Sequence, residues 1–272
     1  MLTTYTLEHQ PYQVYRAGME GPVLLFVHGF PLNHAQWENQ FLHFAASHRV
    51  IAPDLRGLGG SRISDNDMVV TMEQHADDLH ALLNELHINE PVVFIGLSMG
   101  GYVAWQMAKK YPQRLRSLVL CHTRVMADTP EQAQGRHQLA AETLHSQTSL
   151  KIEEAMLPRL LPPSANPSAE EAVRQMARSS SIAGLAATLC GMAARPDMTS
   201  LLPSIAVPTL AISGEYDAIS PPAEMAAWST KIPGARFVSL PGVGHLSPIE
   251  GPHAFNQLLT ESLPCLTGTM SR

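Results

Sequence analysis

The chain has 272 residues, 45% of them hydrophobic, with 18 basic and 24 acidic side chains, a net charge of −6 and a pI near 6.1. That length holds one α/β core with room for an insertion, and the acidic balance argues against nucleic acid or an anionic membrane as partner. No stretch reaches membrane-spanning length, the N-terminus lacks a basic region followed by an apolar run, and Cys121, Cys190 and Cys265 are too scattered for a disulfide framework or a metal site. The expectation is a cytoplasmic protein that needs no metal and no organic cofactor.

In chain order, strands are expected at 5–8 and 12–16, joined by a turn through Gln10-Pro11. Val23-Leu24-Leu25-Phe26-Val27 is a continuous apolar run, the pattern of a strand covered on both faces. It stops at His28-Gly29-Phe30-Pro31, where Gly29 permits a tight loop whose next backbone N–H, that of Phe30, can point into a site. Taken alone, this is equally an ordinary β-to-α turn. A helix at 37–46 and a strand at 49–53 follow. The glycine-rich loop Asp54-Leu55-Arg56-Gly57-Leu58-Gly59-Gly60-Ser61 lacks the G-x-G-x-x-G order and a following lysine, which argues against nucleotide binding. Thr71-Met72-Glu73-Gln74 reads as a capping box opening a helix with Met72, Ala76, Leu79, Leu83 and Leu86 on one face.

Pro91-Val92-Val93-Phe94-Ile95 is a buried-strand pattern, and 102–110 carries a helical spacing ending in two lysines. Between them, Gly96-Leu97-Ser98-Met99-Gly100 has the form G-x-S-x-G. A sharp strand-to-helix reversal crowds the backbone, so side chains at 96 and 100 would collide with neighbours, and Gly101 lets the helix approach the sheet. Ser98 is thereby presented at a helix N-terminus, with the Met99 N–H as a second oxyanion donor beside that of Phe30. The pentapeptide alone is not specific; its position between strand and helix is. A serine nucleophile then requires an acid and a base in the order Ser…Asp/Glu…His.

After a strand at 116–121 the composition turns helical, with stretches at 131–143, 150–161 and 169–178 and a break at Pro162-Pro163. This is expected to be a helical cap, 124–198, inserted after the sixth strand into an α/β core formed by 1–123 and 199–272. An additional packing layer is the plainer alternative. The alternating strands and helices imply a mainly parallel sheet flanked by helices, with active residues at the strands' carboxyl ends. Strands at 208–213 and 235–240 lead into Gly214-Glu215-Tyr216-Asp217 and Gly242-Val243-Gly244-His245, before a last helix at 252–263. Asp217 and His245 thus stand in the required order, His245 as general base and Asp217 orienting its imidazole. Glu215 is the fallback acid; Asp197 and Asp128, at the cap edges, are weaker ones.

These pieces together, from His28-Gly29-Phe30-Pro31 through the Asp54 loop and the Ser98 turn to Asp217 and His245, resemble the α/β-hydrolase superfamily with a helical cap. Haloalkane dehalogenases and epoxide hydrolases carry aspartate where this chain has Ser98. Carbon–carbon bond hydrolases often carry tryptophan where it has Leu246, and cofactor-free haloperoxidases (perhydrolases) often carry it where it has Phe30. The 96–101 string, with His122-Thr123-Arg124 and Thr129-Pro130-Glu131, is similar to enol-lactonases of aromatic catabolism. The resemblance implies hydrolysis of a small-molecule carboxylic ester or lactone through a Ser98 acyl-enzyme. Perhydrolase or carbon–carbon hydrolase activity is the alternative, and a non-catalytic small-molecule receptor the different class. Phe30, Met99, Met126, Ile219 and Leu246 are candidate pocket walls, each equally suited to the core. A homodimer stays open as the assembly state.

Overall fold

The computed structural model describes residues 1–7, 10–64, 66–163 and 165–268. One eight-stranded sheet forms its centre: β1 (Leu2–Leu7), β2 (Gln10–Ala17), β3 (Val23–Val27), β4 (Arg49–Pro53), β5 (Val92–Leu97), β6 (Leu115–Cys121), β7 (Thr209–Gly214) and β8 (Arg236–Leu240). The spatial order is β1-β2-β4-β3-β5-β6-β7-β8. β1–β2 and β2–β4 are antiparallel, and the other five neighbouring pairs are parallel. The expected turn at Gln10-Pro11 is instead the start of β2, with Pro11 opposite Thr6 and Gln10 opposite Leu7. Proline is tolerated there because β2 pairs with β4 only from Val14 onward, so Pro11 needs to supply no second ladder. Glu8, expected in the first strand, lies outside the described residues.

The helices are α1 (Glu38–Phe44), α2 (Met72–Glu85), α3 (Met99–Lys110), α4 (Pro130–Ser146), α5 (Leu150–Leu160), α6 (Pro167–Arg178), α7 (Ile182–Ala193), α8 (Pro222–Ser229), α9 (Ser247–Glu250) and α10 (Pro252–Thr267). Strand alternation divides the core between two faces. Leu25, Val27, Phe94 and Leu118 pack with residues of α2 and α3, whereas Leu24, Phe26, Val93, Ile95 and Val119 pack with residues of α1 and α10. Both faces are covered, which is why β3 is apolar at every position and β5 and the second half of β6 nearly so. On α2, Met72, Ala76, Leu79 and Leu83 are buried, and Thr71 Oγ1 accepts the Gln74 N–H at 3.0 Å.

Four helices, α4 to α7, intervene between β6 and β7. The sequence expectations do not include α7, which is buried on nearly every side and so lacks a two-sided pattern. It docks on the glycine-rich loop: a side chain at Gly184 would run into the Gly57 carbonyl, and Val70 N–H donates to Ala187 O at 3.1 Å. That loop closes on its own aspartate. Asp54 accepts from the Gly60 N–H at 2.8 Å and the His34 N–H at 2.7 Å. Its glycines serve a tight turn and the contact with α7.

Parallel register aligns the strand ends. Val27 lies opposite Gly96, Leu97 opposite Cys121, Cys121 opposite Ile212, and Gly214 opposite Leu240. The residues that follow β3, β5, β6, β7 and β8 consequently emerge along one edge of the sheet.

Candidate active site

Ser98 sits between β5 and α3 with φ 53° and ψ −109°, a left-handed backbone that a non-glycine residue adopts only when its surroundings impose it. Here they do. Its N–H donates to Cys121 O at 2.8 Å, and its carbonyl accepts from the Thr123 hydroxyl at 2.8 Å and the Gly101 N–H at 2.9 Å. A side chain at Gly100 would strike the Val27 carbonyl, and one at Gly101 would strike Thr123. Leu97 and Met99 are fully buried, while Ser98 keeps some exposure. The loop after β3 lies against this turn: a Cβ added to Gly29 would touch the Ser98 Cβ at 3.4 Å. Neither the Phe30 nor the Met99 N–H has an acceptor among the described residues.

Asp217, after β7, and His245, after β8, are bonded to each other. His245 Nδ1 lies 2.8 Å from Asp217 Oδ1 and 2.9 Å from Oδ2, with both side chains buried. The N–H groups of Ile219 and Ser220 donate to Oδ1 at 2.9 Å each. Burial opposes the Asp217 charge, but the His245 imidazole and the hydrogen bonds from His122 and His245 outweigh it and hold the carboxyl well below the usual carboxylate range. His245 Nε2, the ring atom a base would turn toward Ser98, is buried and makes no hydrogen bond among the described residues. Such bonds are commonly long before substrate arrives.

The sequence expectations missed two residues here. His122, directly after β6, places Nδ1 2.9 Å from Asp217 Oδ2 and Nε2 2.6 Å from Ser247 Oγ. Burial lowers its pKa against the pull of Asp217. Glu250 braces the backbone around His245. The sequence signals for His122 were its place in the His122-Thr123-Arg124 stretch similar to enol-lactonases and its position after a strand running parallel to that of Ser98. His122, Asp217 and His245 bring three ligand-type atoms within 4.8 Å of one another. The Nδ1–carboxylate gaps of 2.8–2.9 Å are hydrogen-bond lengths, whereas donors about 2.0 Å from a tetrahedral metal stand roughly 3.3 Å apart. The cluster is spaced for protons.

None of the fallback acids reaches His245. Glu215 accepts from the Gly242 N–H, Asp197 from the Thr199 N–H, and Asp128 is held by Arg136 and Arg195. Among the candidate walls, Phe30, Met99 and Leu246 are buried within the hydrophobic clusters, and Met126 is 37% exposed. Ile219 lines a cavity of about 360 Å³ together with Tyr102, Arg124, Met156, Arg159 and Leu189. Of its lining residues, Tyr102 stands four positions after Ser98 and Ile219 two after Asp217. Ser98 and His245 are not among the residues that line it.

Comparison with known proteins agrees with this architecture. The profile of the alpha/beta hydrolase family matches residues 24–258. A thermophilic esterase from Thermogutta terrifontis, solved with malate bound, superposes with a TM-score of 0.92 at 40% identity, covering 98% of this chain and 99% of its own. The 3-oxoadipate enol-lactonase 2 of Acinetobacter baylyi is 27% identical over 238 residues, 86% of each chain. The pimeloyl-[acyl-carrier protein] methyl ester esterase of Aeromonas hydrophila is 27% identical over 255 residues, 88% of this chain and 94% of its own. Epoxide hydrolases also match, with the alignments spanning 20–31% of their length. A family match running from β3 into α10, on a sheet whose strand ends gather the serine, aspartate and histidine loops, has one meaning: the chain belongs to the alpha/beta hydrolase family.

Proposed function

We propose that the protein hydrolyses a carboxylic ester or lactone through an acyl-enzyme on Ser98. The observation that carries this reading is a left-handed, partly exposed Ser98 at a helix N-terminus, on the same sheet edge as a buried His245 bonded to Asp217. His245 takes the Ser98 proton as the hydroxyl attacks the carbonyl, then returns it to the leaving alcohol or enolate oxygen. Asp217 holds the imidazole with its proton on Nδ1 and stabilises the imidazolium without itself being protonated. The free N–H groups of Phe30 and Met99 bind the oxyanion, each contributing about 3 kcal/mol to the transition state. Water, activated by His245, then releases the acid.

In this reading residues 124–198 are a cap over the core of 1–123 and 199–272. The substrate's distal portion enters the cavity beside Tyr102 and Ile219. The esterase and enol-lactonase relatives support an ester or lactone over a carbon–carbon bond.

The test is multiple-turnover hydrolysis of p-nitrophenyl esters from acetate to octanoate and of simple lactones, with wild type and Ser98→Ala. Turnover abolished by Ser98→Ala is the expected result. Unchanged turnover in Ser98→Ala would overturn the nucleophile, and a single stoichiometric event without turnover would point to a receptor.

A further inference from the structure

Resting on the acyl-enzyme reading above, we propose that His122 is a positioning residue that fixes the plane of the Asp217 carboxylate and so sets the alignment of His245. Asp217 Oδ1 is anchored by the Ile219 and Ser220 N–H groups, both at 2.9 Å. That leaves the carboxylate free to swing about Oδ1 unless something holds Oδ2. His122 Nδ1, at 2.9 Å, supplies the separate donor to that oxygen; its other contact, at the same distance, is the shared His245 Nδ1. The plane matters because a hydrogen bond to a carboxylate weakens as it leaves the lone-pair direction.

His122 is itself immobilised and kept in one tautomer. Its Nε2 lies 2.6 Å from the Ser247 hydroxyl, which donates to it and leaves the ring proton on Nδ1, facing Asp217. Its backbone N–H donates to Ile212 O at 2.8 Å, and its carbonyl accepts from the Ser220 hydroxyl at 3.0 Å. It holds φ at 51°, a conformation rare for histidine, within a site it fills completely (0% exposed). A neutral imidazole suits this position. It donates to the carboxylate without cancelling the negative charge that the His245 imidazolium uses.

Two substitutions separate the ring nitrogens. Asparagine places its amide nitrogen where Nδ1 is and keeps the donor to Asp217. Glutamine places its terminal group where Nε2 is and keeps only the Ser247 side. His122→Asn is expected to keep kcat within about threefold, and His122→Gln to lose roughly 10–100-fold in kcat with KM unchanged. The downfield proton resonance of His245 Nδ1–H should persist in the Asn variant and be lost or move upfield in the Gln variant. All measurements are made well below each variant's melting temperature. Equal kcat values for the two variants, a loss confined to KM, or unfolding of both would overturn the proposal and make His122 a packing residue. Ser98→Ala, run alongside, reports separately on the acyl-enzyme: turnover there would overturn that reading whatever the 122 variants do.

Discussion

Glu250 grips the chain on both sides of His245, one carboxylate oxygen accepting the Gly244 N–H and the other the Leu246 N–H, each at 2.7 Å. The ring of His245 is thus held by Asp217 and its backbone by Glu250. Glu250→Gln replaces one acceptor with an NH₂ group that faces a peptide N–H. The expected outcome is a stability loss of about 1–3 kcal/mol and a lower kcat, read by denaturant unfolding and ester hydrolysis. Wild-type values for both would show that the bracket does not restrain the histidine.

Acid should destabilise the fold well above the carboxylate range. Burial lowers the pKa of His28 to about 4 and that of His75 to about 3, and also lowers that of His122. Below about pH 6.5 the unfolded chain protonates these rings while the folded protein keeps them neutral. Their contribution is complete above pH 6.5 and is lost as pH falls toward 4 and then 3, at about 1.4 kcal/mol per pH unit for each histidine. His75 has no hydrogen-bond partner on either nitrogen among the described residues. His75→Leu should therefore narrow the gap in melting temperature between pH 7.5 and pH 5. Parallel pH profiles for the two proteins would contradict this assignment.

Asp128 is buried between two guanidinium groups, 2.7 Å from Arg195 Nη1 and 2.6 Å from Arg136 Nε. Arg195 is itself buried and stacks over the Tyr102 ring at 4.2 Å. Asp128→Asn leaves that charge uncompensated and should remove about 3–5 kcal/mol. Urea unfolding measures the loss. The paired change Asp128→Leu with Arg195→Met should recover part of it, because it removes the buried Arg195 charge and leaves only the partly exposed Arg136 guanidinium unpaired.

Two helix glycines should respond in opposite ways to alanine. In Gly184→Ala the new methyl meets the Gly57 backbone, so α7 must lift from the loop and the melting temperature should fall. In Gly135→Ala, on α4, the methyl meets nothing within 4 Å, and stability should rise by about 0.5–1 kcal/mol. Thermal melts of the pair decide it. A similar loss in both would mean that helix packing in 124–198 is tighter around Gly135 than its surroundings indicate.

The strands of this sheet and its serine turn were legible because their signals are local. A doubly covered strand is apolar throughout, and a tight reversal demands glycine at fixed offsets, as Gly96, Gly100 and Gly101 supply. Asp217 and His245 were singled out because the proposed chemistry requires them in that order, and the structure bonds one to the other. His122 and Glu250 were not, since the hydrogen bonds of His122 to Asp217 and of Glu250 to the backbone around His245 belong to no local pattern. Leu246, a candidate pocket wall equally suited to the core, lies fully buried in the cluster that holds Phe255 and Leu259. The largely buried α7 carried no amphipathic stripe to read.

The left-handed backbone at Ser98 has a consequence for engineering. A serine in that conformation carries strain on the order of 1–3 kcal/mol, and glycine would relieve most of it. Ser98→Gly should accordingly melt above wild type. A selection for thermal resistance alone would discard the very hydroxyl around which the fold is arranged, so any thermostability screen of this protein needs turnover as a second criterion.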